Sequence, residues 1–238
     1  SRVPPYPDVN EMEGNMKITW LGHASFRIEI EQAVLLIDPW LEGNPSFPTD
    51  KRADAISGAT HILLTHGHFD HTSEVDAIAK DTGAVVVGIP ELCGIFSAHE
   101  TVEFNKGGTV DLGGAHVSMV QATHSSSVGS AYAGTEAGYM IKGEGHMIYV
   151  SGDTDIMADM DWMGDFYNPD IGILCAGGHY TMGMEGAAYA AKRYFNFKTI
   201  IPCHYKTFSL LAQSAQPLVD ALPDINVLTP EVMEAVRF

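Results

Sequence analysis

Histidine and aspartate fall at a spacing that could hold metal ions in the run Thr65-His66-Gly67-His68-Phe69-Asp70-His71. Four ligating side chains occupy six consecutive positions, in the order H-x-H-x-D-H. Imidazole and carboxylate together suit zinc and its first-row neighbours, and a spacing this short lets one loop feed two adjacent ions. As mere core the cluster would be costly, because each buried imidazole or carboxylate needs a partner. Three more ligand types follow, each after an apolar run: His124 in Ala122-Thr123-His124-Ser125, Asp153 in Ser151-Gly152-Asp153-Thr154-Asp155, and His204 in Ile200-Ile201-Pro202-Cys203-His204-Tyr205. Taken alone, His124 could be a satisfied surface or core histidine, and Asp153 could cap the turn at Gly152.

The elements that must position these groups show in the hydrophobic pattern. Residues 17–20, 25–30 and 34–38 read as successive strands, the middle one alternating apolar and polar. Residues 61–65 form a buried strand that delivers the H-x-H-x-D-H loop. Ser73-x-x-Asp76 has capping-box spacing, and the helix it opens carries Val75, Ile78 and Ala79 and stops at Gly83. A strand over 84–88 and a short helix from Ile89-Pro90-Glu91 come next. Strands are expected over 115–121, 137–142, 146–151, 170–175 and 199–201. Helices are expected over 185–194, near 208–221 and near 230–236. Every candidate ligand falls just after a strand, where loops of an α/β scaffold carry function.

This ordered set resembles the metallo-β-lactamase superfamily, over nearly the whole chain from Met16 on. Gly22-His23-Ala24-Ser25, Ile37-Asp38-Pro39-Trp40 and Gly43-Asn44-Pro45 resemble one subgroup of small bacterial and archaeal metal-dependent hydrolases, with the ascorbate-6-phosphate lactonases more distant. The resemblance implies an α/β (α+β) fold: a four-layer αββα sandwich of two mixed sheets. It implies that His66, His68 and His124 hold one metal, that Asp70, His71 and His204 hold a second, and that Asp153 bridges them. The cofactor would be two divalent ions, zinc first, with manganese, iron and nickel as alternatives. A metal-bridging hydroxide would attack a small ester, lactone or amide. A glutamate in place of His68 would have suggested a di-iron redox centre; histidine favours zinc and hydrolysis.

Two other histidines are candidates. His23, on the turn between the first strands, reads either as a substrate-binding group or proton donor, or as a hydrogen-bonded structural residue. His179, in Ala176-Gly177-Gly178-His179-Tyr180, reads as a pocket residue and general acid, against a turn residue capping the next helix. The catalytic set is thus Asp70, Asp153, His179 and His23. Phe69, Trp40, Tyr180 and Tyr205 are candidates for the pocket lining, although most aromatics in such a chain are core. His61, His99, His116 and His146 lack comparable context.

Composition narrows the function classes. Thirty acidic against 13 basic residues give a net charge of −17, which disfavours nucleic acid, since phosphate binding rests on Lys and Arg. A phosphodiesterase or phosphoesterase of the same superfamily is the alternative activity, with Lys206 the nearest cation for an anionic substrate. A metal-binding protein without catalysis is the alternative of another class. No Gly-x-Ser-x-Gly, Walker loop or G-x-G-x-x-G occurs. Cys93, Cys175 and Cys203 form no C-x-x-C and read as packing residues in a reducing, cytoplasmic setting. No apolar stretch is long enough for a membrane, and Ser1–Pro7 has no apolar core of signal-peptide type. The chain divides into a Pro-rich extended arm over 1–15 and one hydrolase domain over 16–238. Such an arm is expected either to pack on a neighbouring copy in a homo-oligomer or to be disordered.

Overall fold

Alternation in Phe26-Arg27-Ile28-Glu29-Ile30 sends Phe26, Ile28 and Ile30 inward and leaves Arg27 and Glu29 half-buried, so this segment can only be a strand with one face on a core. The computed structural model describes residues 15–238, and all but the last residue of the expected arm over 1–15 lies outside the described residues. The first half runs β1 (Lys17–Trp20), β2 (Phe26–Ile30), β3 (Ala33–Ile37), α1 (Arg52–Ile56), β4 (His61–Leu63), α2 (Phe69–Thr72), α3 (Val75–Thr82), β5 (Val85–Gly88), α4 (Pro90–Ile95) and β6 (Thr101–Glu103). The second runs β7 (Thr109–Leu112), β8 (Ala115–Gln121), the small hairpin β9 (Ser127–Val128) and β10 (Ala131–Tyr132), β11 (Ala137–Gly143), β12 (His146–Val150), α5 (Met160–Tyr167), β13 (Ile171–Cys175), α6 (Met184–Tyr194), β14 (Thr199–Cys203), α7 (Gln216–Ala221), β15 (Asn226–Val227) and β16 (Ala235–Arg237).

Among the described residues these make two seven-stranded mixed sheets, ordered β16-β1-β2-β3-β4-β5-β6 and β15-β14-β13-β12-β11-β8-β7. In each, an antiparallel meander passes into parallel strands: at β3–β4 in the first and at β12–β13 in the second. One apolar cluster fills the space between the sheets. They meet closely at the site end, where the Tyr139 hydroxyl donates to the Leu64 carbonyl (2.6 Å) and the Ala137 amide to that of Thr65 (2.9 Å). This is the expected α/β sandwich. No helix among the described residues is long and apolar enough to cross a membrane.

Three local expectations are corrected. Ser73 and Asp76 form no capping box: α3 has no side-chain cap, and Asp76 pairs with His99 at 2.9 Å. The helix expected near 208–221 is only α7, with Pro217 in its first turn. Residues before it spend their backbone groups on other loops, Lys206 donating to the Ala212 carbonyl and Ala212 to that of Gly177. The segment near 230–236 is not helical. It ends in β16, which pairs with β1 in the register Lys17 with Arg237 and so covers an edge that β1 would otherwise expose. Helix α5 was not anticipated.

Gly177 shows how tightly the loops at the site end are packed. A Cβ there would overlap the carbonyl oxygen of His204, directly after β14. Gly177→Ala is expected to cost about 2–3 kcal/mol through overpacking, read as a fall in Tm of roughly 5–10 °C. An unchanged Tm would show that this loop yields freely.

Candidate metal centre

The carboxyl ends of six strands meet at one mouth of the sandwich. Asp38 follows β3, the run from His66 to His71 follows β4, His124 follows β8, Asp153 follows β12, His204 follows β14, and His23 lies on the turn after β1. Three of these residues have left-handed backbones that lack glycine's freedom: Asp38 (φ 43°), His23 (φ 54°) and His204 (φ 61°). Each redirects the chain as it leaves a strand, and such conformations persist where surrounding bonds enforce them. For His23 and His204 the enforcement is visible, since the His204 amide and the Trp20 indole N–H both donate to the His23 carbonyl at 2.9 Å.

The side chains gather into two groups of donors around one carboxylate. His66, His68 and His124 form the first group, and Asp70, His71 and His204, joined by His23, form the second. Asp153 lies between them. Its Oδ2 is 3.7 Å from His66 Nε2, 3.6 Å from His124 Nε2, 3.3 Å from His71 Nε2 and 3.0 Å from His204 Nε2. Asp153 Oδ1 and His71 Nε2 are buried with no hydrogen-bond partner. Unpaired buried polar atoms of this kind are expensive, and a cation between the groups would satisfy both. The donor set of imidazoles and carboxylates therefore fits divalent metal.

Behind the ligands sits Asp38, to which the sequence reading gave no role. Its Oδ1 accepts the Thr65 amide (2.8 Å), and its Oδ2 accepts the Thr65 hydroxyl (2.5 Å) and His71 Nδ1–H (2.8 Å). Because Thr65 gives its proton to Asp38, its oxygen is free to accept His66 Nδ1–H at 2.9 Å. One buried carboxylate thus orients two histidines through their Nδ1 atoms and turns both Nε2 atoms toward the centre, as such outer partners do for metal ligands. An acidic residue closing the apolar run Val34-Leu35-Leu36-Ile37 was the available signal.

His23 plays a comparable part for Asp70. Its Nε2 lies 2.8 Å from Asp70 Oδ2 and its Nδ1 2.6 Å from Thr207 Oγ1. Burial is the main cause that lowers its pKa to about 4, so it is neutral at pH 7. Burial would raise the Asp70 carboxyl, but His71, His204 and His23 outweigh it and hold it well below the usual range. The ionised Asp70 accepts His23 Nε2–H, and His23 Nδ1 then accepts the Thr207 hydroxyl.

His179 is not brought to the cluster. It is exposed, with a left-handed backbone (φ 57°) and its ring against Tyr180, and it is not among the residues lining the cavity. Lys206 also points elsewhere: its ammonium lies 5.6 Å from the Tyr205 ring centroid and borders a separate groove with Trp20 and Phe47. Tyr205 is buried and stacked on Trp20, and Cys203 only packs. The cavity above the cluster has a volume of about 860 Å³ and contains no lysine or arginine in its lining. Phe69, Tyr180, Phe208 and Leu210 line it together with Ser125, Ser127, Thr207 and Ser209.

Without a cation, protons compensate the carboxylates. Burial opposes a charged His204, but Asp153 and Asp70 raise its pKa to about 9. Burial likewise opposes a charged His71, but Asp153, Asp38 and Asp70 hold its pKa well above 6.5. Burial and His71 keep His66 well below 6.5. A metal must therefore displace protons from His71 and His204, and its affinity falls with falling pH. The sign for stability follows from raised pKa values. The metal-free protein has the contribution of these pairs in full below about 6.5 and loses it as pH rises toward 9. Zinc binding at pH 7.5, followed calorimetrically in buffers of different ionisation enthalpy, should release about two protons. The Tm gap between metal-loaded and metal-free protein should widen from pH 6.5 to 9, and release of no protons would contradict this assignment. Asp38→Ala should weaken metal binding about 10- to 100-fold while leaving every ligand in place.

Comparisons with known proteins agree with this geometry. The sequence profile of the beta-lactamase superfamily domain matches residues 17–204. The chain is 64% identical over 228 residues to a UPF0173 metal-dependent hydrolase of Paracoccus denitrificans, covering 93% of this chain and 99% of that protein. It is 63% identical over 229 residues to one of Cereibacter sphaeroides, covering 93% and 100%. Among solved structures, a metallo hydrolase from the hyperthermophilic archaeon Ignicoccus hospitalis superposes with a TM-score of 0.83 at 29% identity, covering 94% of this chain and 98% of that one.

Proposed function

The chain belongs to the UPF0173 metal-dependent hydrolases of the beta-lactamase superfamily, and from that premise we propose that it is a binuclear hydrolase of small uncharged esters, lactones or amides. The observation that carries the reading is the position of Asp153 Oδ2, within 3.7 Å of imidazole nitrogens from both donor groups. His66, His68 and His124 would hold one ion and Asp70, His71 and His204 the other, with Asp153 shared. Zinc suits this set best, and manganese, iron and nickel share its ligand types. Two such ions, when bound, supply Lewis acidity toward the scissile carbonyl and an activated water near neutral pH.

The protein's own contribution is to orient and to hold protons in place. Asp38 and Thr65 hold a proton on Nδ1 of His71 and His66, so that Nε2 is the nitrogen each offers to an ion, and His23 keeps a donor on Asp70 Oδ2. Ser125, Ser127, Thr207 and Tyr180 offer hydroxyls to a polar substrate edge. Apart from the ligand candidates themselves, the lining includes no carboxyl or imidazole that could protonate a leaving group. That ranks esters and lactones, whose leaving oxygen needs less help, ahead of amides. The same lining weighs against a phosphodiester, because no cationic side chain meets a phosphate and Lys206 faces another groove.

The test is hydrolysis of simple lactones and aryl esters against a chromogenic phosphodiester, by protein loaded with zinc or manganese. Turnover of the carbon esters is expected, and Asp153→Ala should reduce kcat/KM by at least about 10³-fold with loss of bound metal on elemental analysis. Turnover of the phosphodiester alone, or activity retained in metal-depleted Asp153→Ala, would overturn the reading.

A further inference from the structure

The cavity has two chemically different walls, and each lies on its own side of the metal cluster. On the side of Asp70, His204 and His23, the wall is mainly aromatic and aliphatic, with Thr207, bonded to His23 Nδ1, and Ser209 on either side of Phe208. Phe69 stands with its edge against Trp40, ring centroids 5.7 Å apart, and Trp40 stacks on Phe208 at 5.7 Å. Phe208 and Trp40 both rest on the His23 ring, at 5.4 and 5.2 Å. Leu210 extends this wall along the loop after His204. On the side of His68 and His124 the lining is Ser125, Ser127 and Gly129, with the Ser125 hydroxyl 3.4 Å from His68 Nε2.

The apolar wall is open to solvent although it sits on a rigid base. Phe69 is 63% exposed and Leu210 60%, whereas Trp40 beneath is buried. Phe69 sits between two ligand candidates, so its ring rises directly from the metal loop. Exposed apolar side chains that rim a polar site mark a surface that is covered when the site is used. The wall is continuous with the cluster through the rings on His23, so whatever covers it also reaches the ligands. That identifies the occupant as part of the substrate and not as a separate partner.

Building on the hydrolase reading, we propose that the substrate carries an apolar chain or ring that lies along Phe69, Phe208 and Leu210, with its polar end directed to Ser125 and Ser127. The substrate class is therefore an uncharged ester or lactone with an aliphatic or aryl tail. The two walls also fix a direction: the tail runs over the Asp70–His204 side and the hydroxylated or otherwise polar portion over the His68–His124 side. A sugar phosphate or other compact polar anion would leave the apolar wall uncovered and meet no cationic side chain in the lining.

Alkyl hydroxamic acids from two to eight carbons test this without turnover, since the hydroxamate engages metal and only the tail varies. Their Kd for zinc-loaded protein, read from tryptophan fluorescence, should fall about two- to fourfold for each added methylene over the middle of the series. In Leu210→Ser and in Phe69→Ser, with metal content checked by elemental analysis, the dependence of log Kd on chain length should fall by half or more. A Kd independent of chain length, or no binding by any member, overturns the proposal. The outcome is separable from that of the hydrolysis panel. Ester turnover with a flat series removes the tail site alone, and a steep series without ester or lactone turnover removes the hydrolytic reading while the tail site stands.

Discussion

Four histidines and three aspartates, His23, His66, His71, His204, Asp38, Asp70 and Asp153, are buried at the mouth of an otherwise apolar sandwich, and they must neutralise one another. That requirement governs the architecture of the site. A carboxylate taken from water without compensation costs far more than one domain can spare. Here each aspartate has its imidazoles. Asp38 faces His71, Asp70 faces His23 and His204, and Asp153 faces His71 and His204. The compensation is incomplete where it matters, because Asp153 Oδ1 and His71 Nε2 have no partner. A scaffold that satisfied those atoms internally would have no remaining affinity for a cation.

The two sheets serve that arrangement by bringing distant segments to a common edge. Strands β3 and β4 run parallel in register Ile37 with Leu63, so Asp38 and the metal loop leave the first sheet side by side. Strands β13 and β14 run parallel in register Cys175 with Cys203, which sets the Gly177 turn against His204. The loop from Pro39 to Pro45 is held from outside, where Glu74 accepts the amides of Leu41 (2.7 Å) and Glu42 (2.9 Å). That anchor keeps Trp40 beneath Phe69. The ligands and the apolar wall therefore share supports, and a change in one loop is felt by both.

The candidate ligand cluster was legible in the sequence because its residue types are unusual and four of them are local. The sandwich was legible because strand runs such as Ala84–Gly88 and Ile171–Cys175 are short and continuously apolar. What escaped were features decided by contacts distant in sequence. Asp38 lies 27 residues before its partner Thr65, and the acidic residue that closes its apolar run does not say which distant loop it will bond. The segment Glu231–Val236 has a helical look, but β1 offers an open edge and the strand pairing wins. The sequence points to His179 as a pocket group because it follows a buried strand and two glycines, and to Lys206 as a cation for an anionic substrate because it follows His204 closely. Both have left-handed backbones, at φ 57° and 69°, and such a turn sends the side chain in a direction that spacing along the chain does not encode.

Charge gives the cavity a direction for catalysis as well as for binding. The chain carries 17 more acidic than basic residues, and the cavity lining has no lysine or arginine. A neutral ester enters such a field without penalty. On the proposed reading its hydrolysis would give a carboxylate, an alcohol and a proton, and the carboxylate would find no cationic side chain in the lining beside the bound ions. A cationic side chain in the lining would have stabilised that product and slowed its departure. On the proposed reading, a preference for neutral substrates and ready release of a carboxylate product would both follow from the absence of Lys and Arg in the cavity lining. On that reading the apolar wall would supply the binding energy that charge does not.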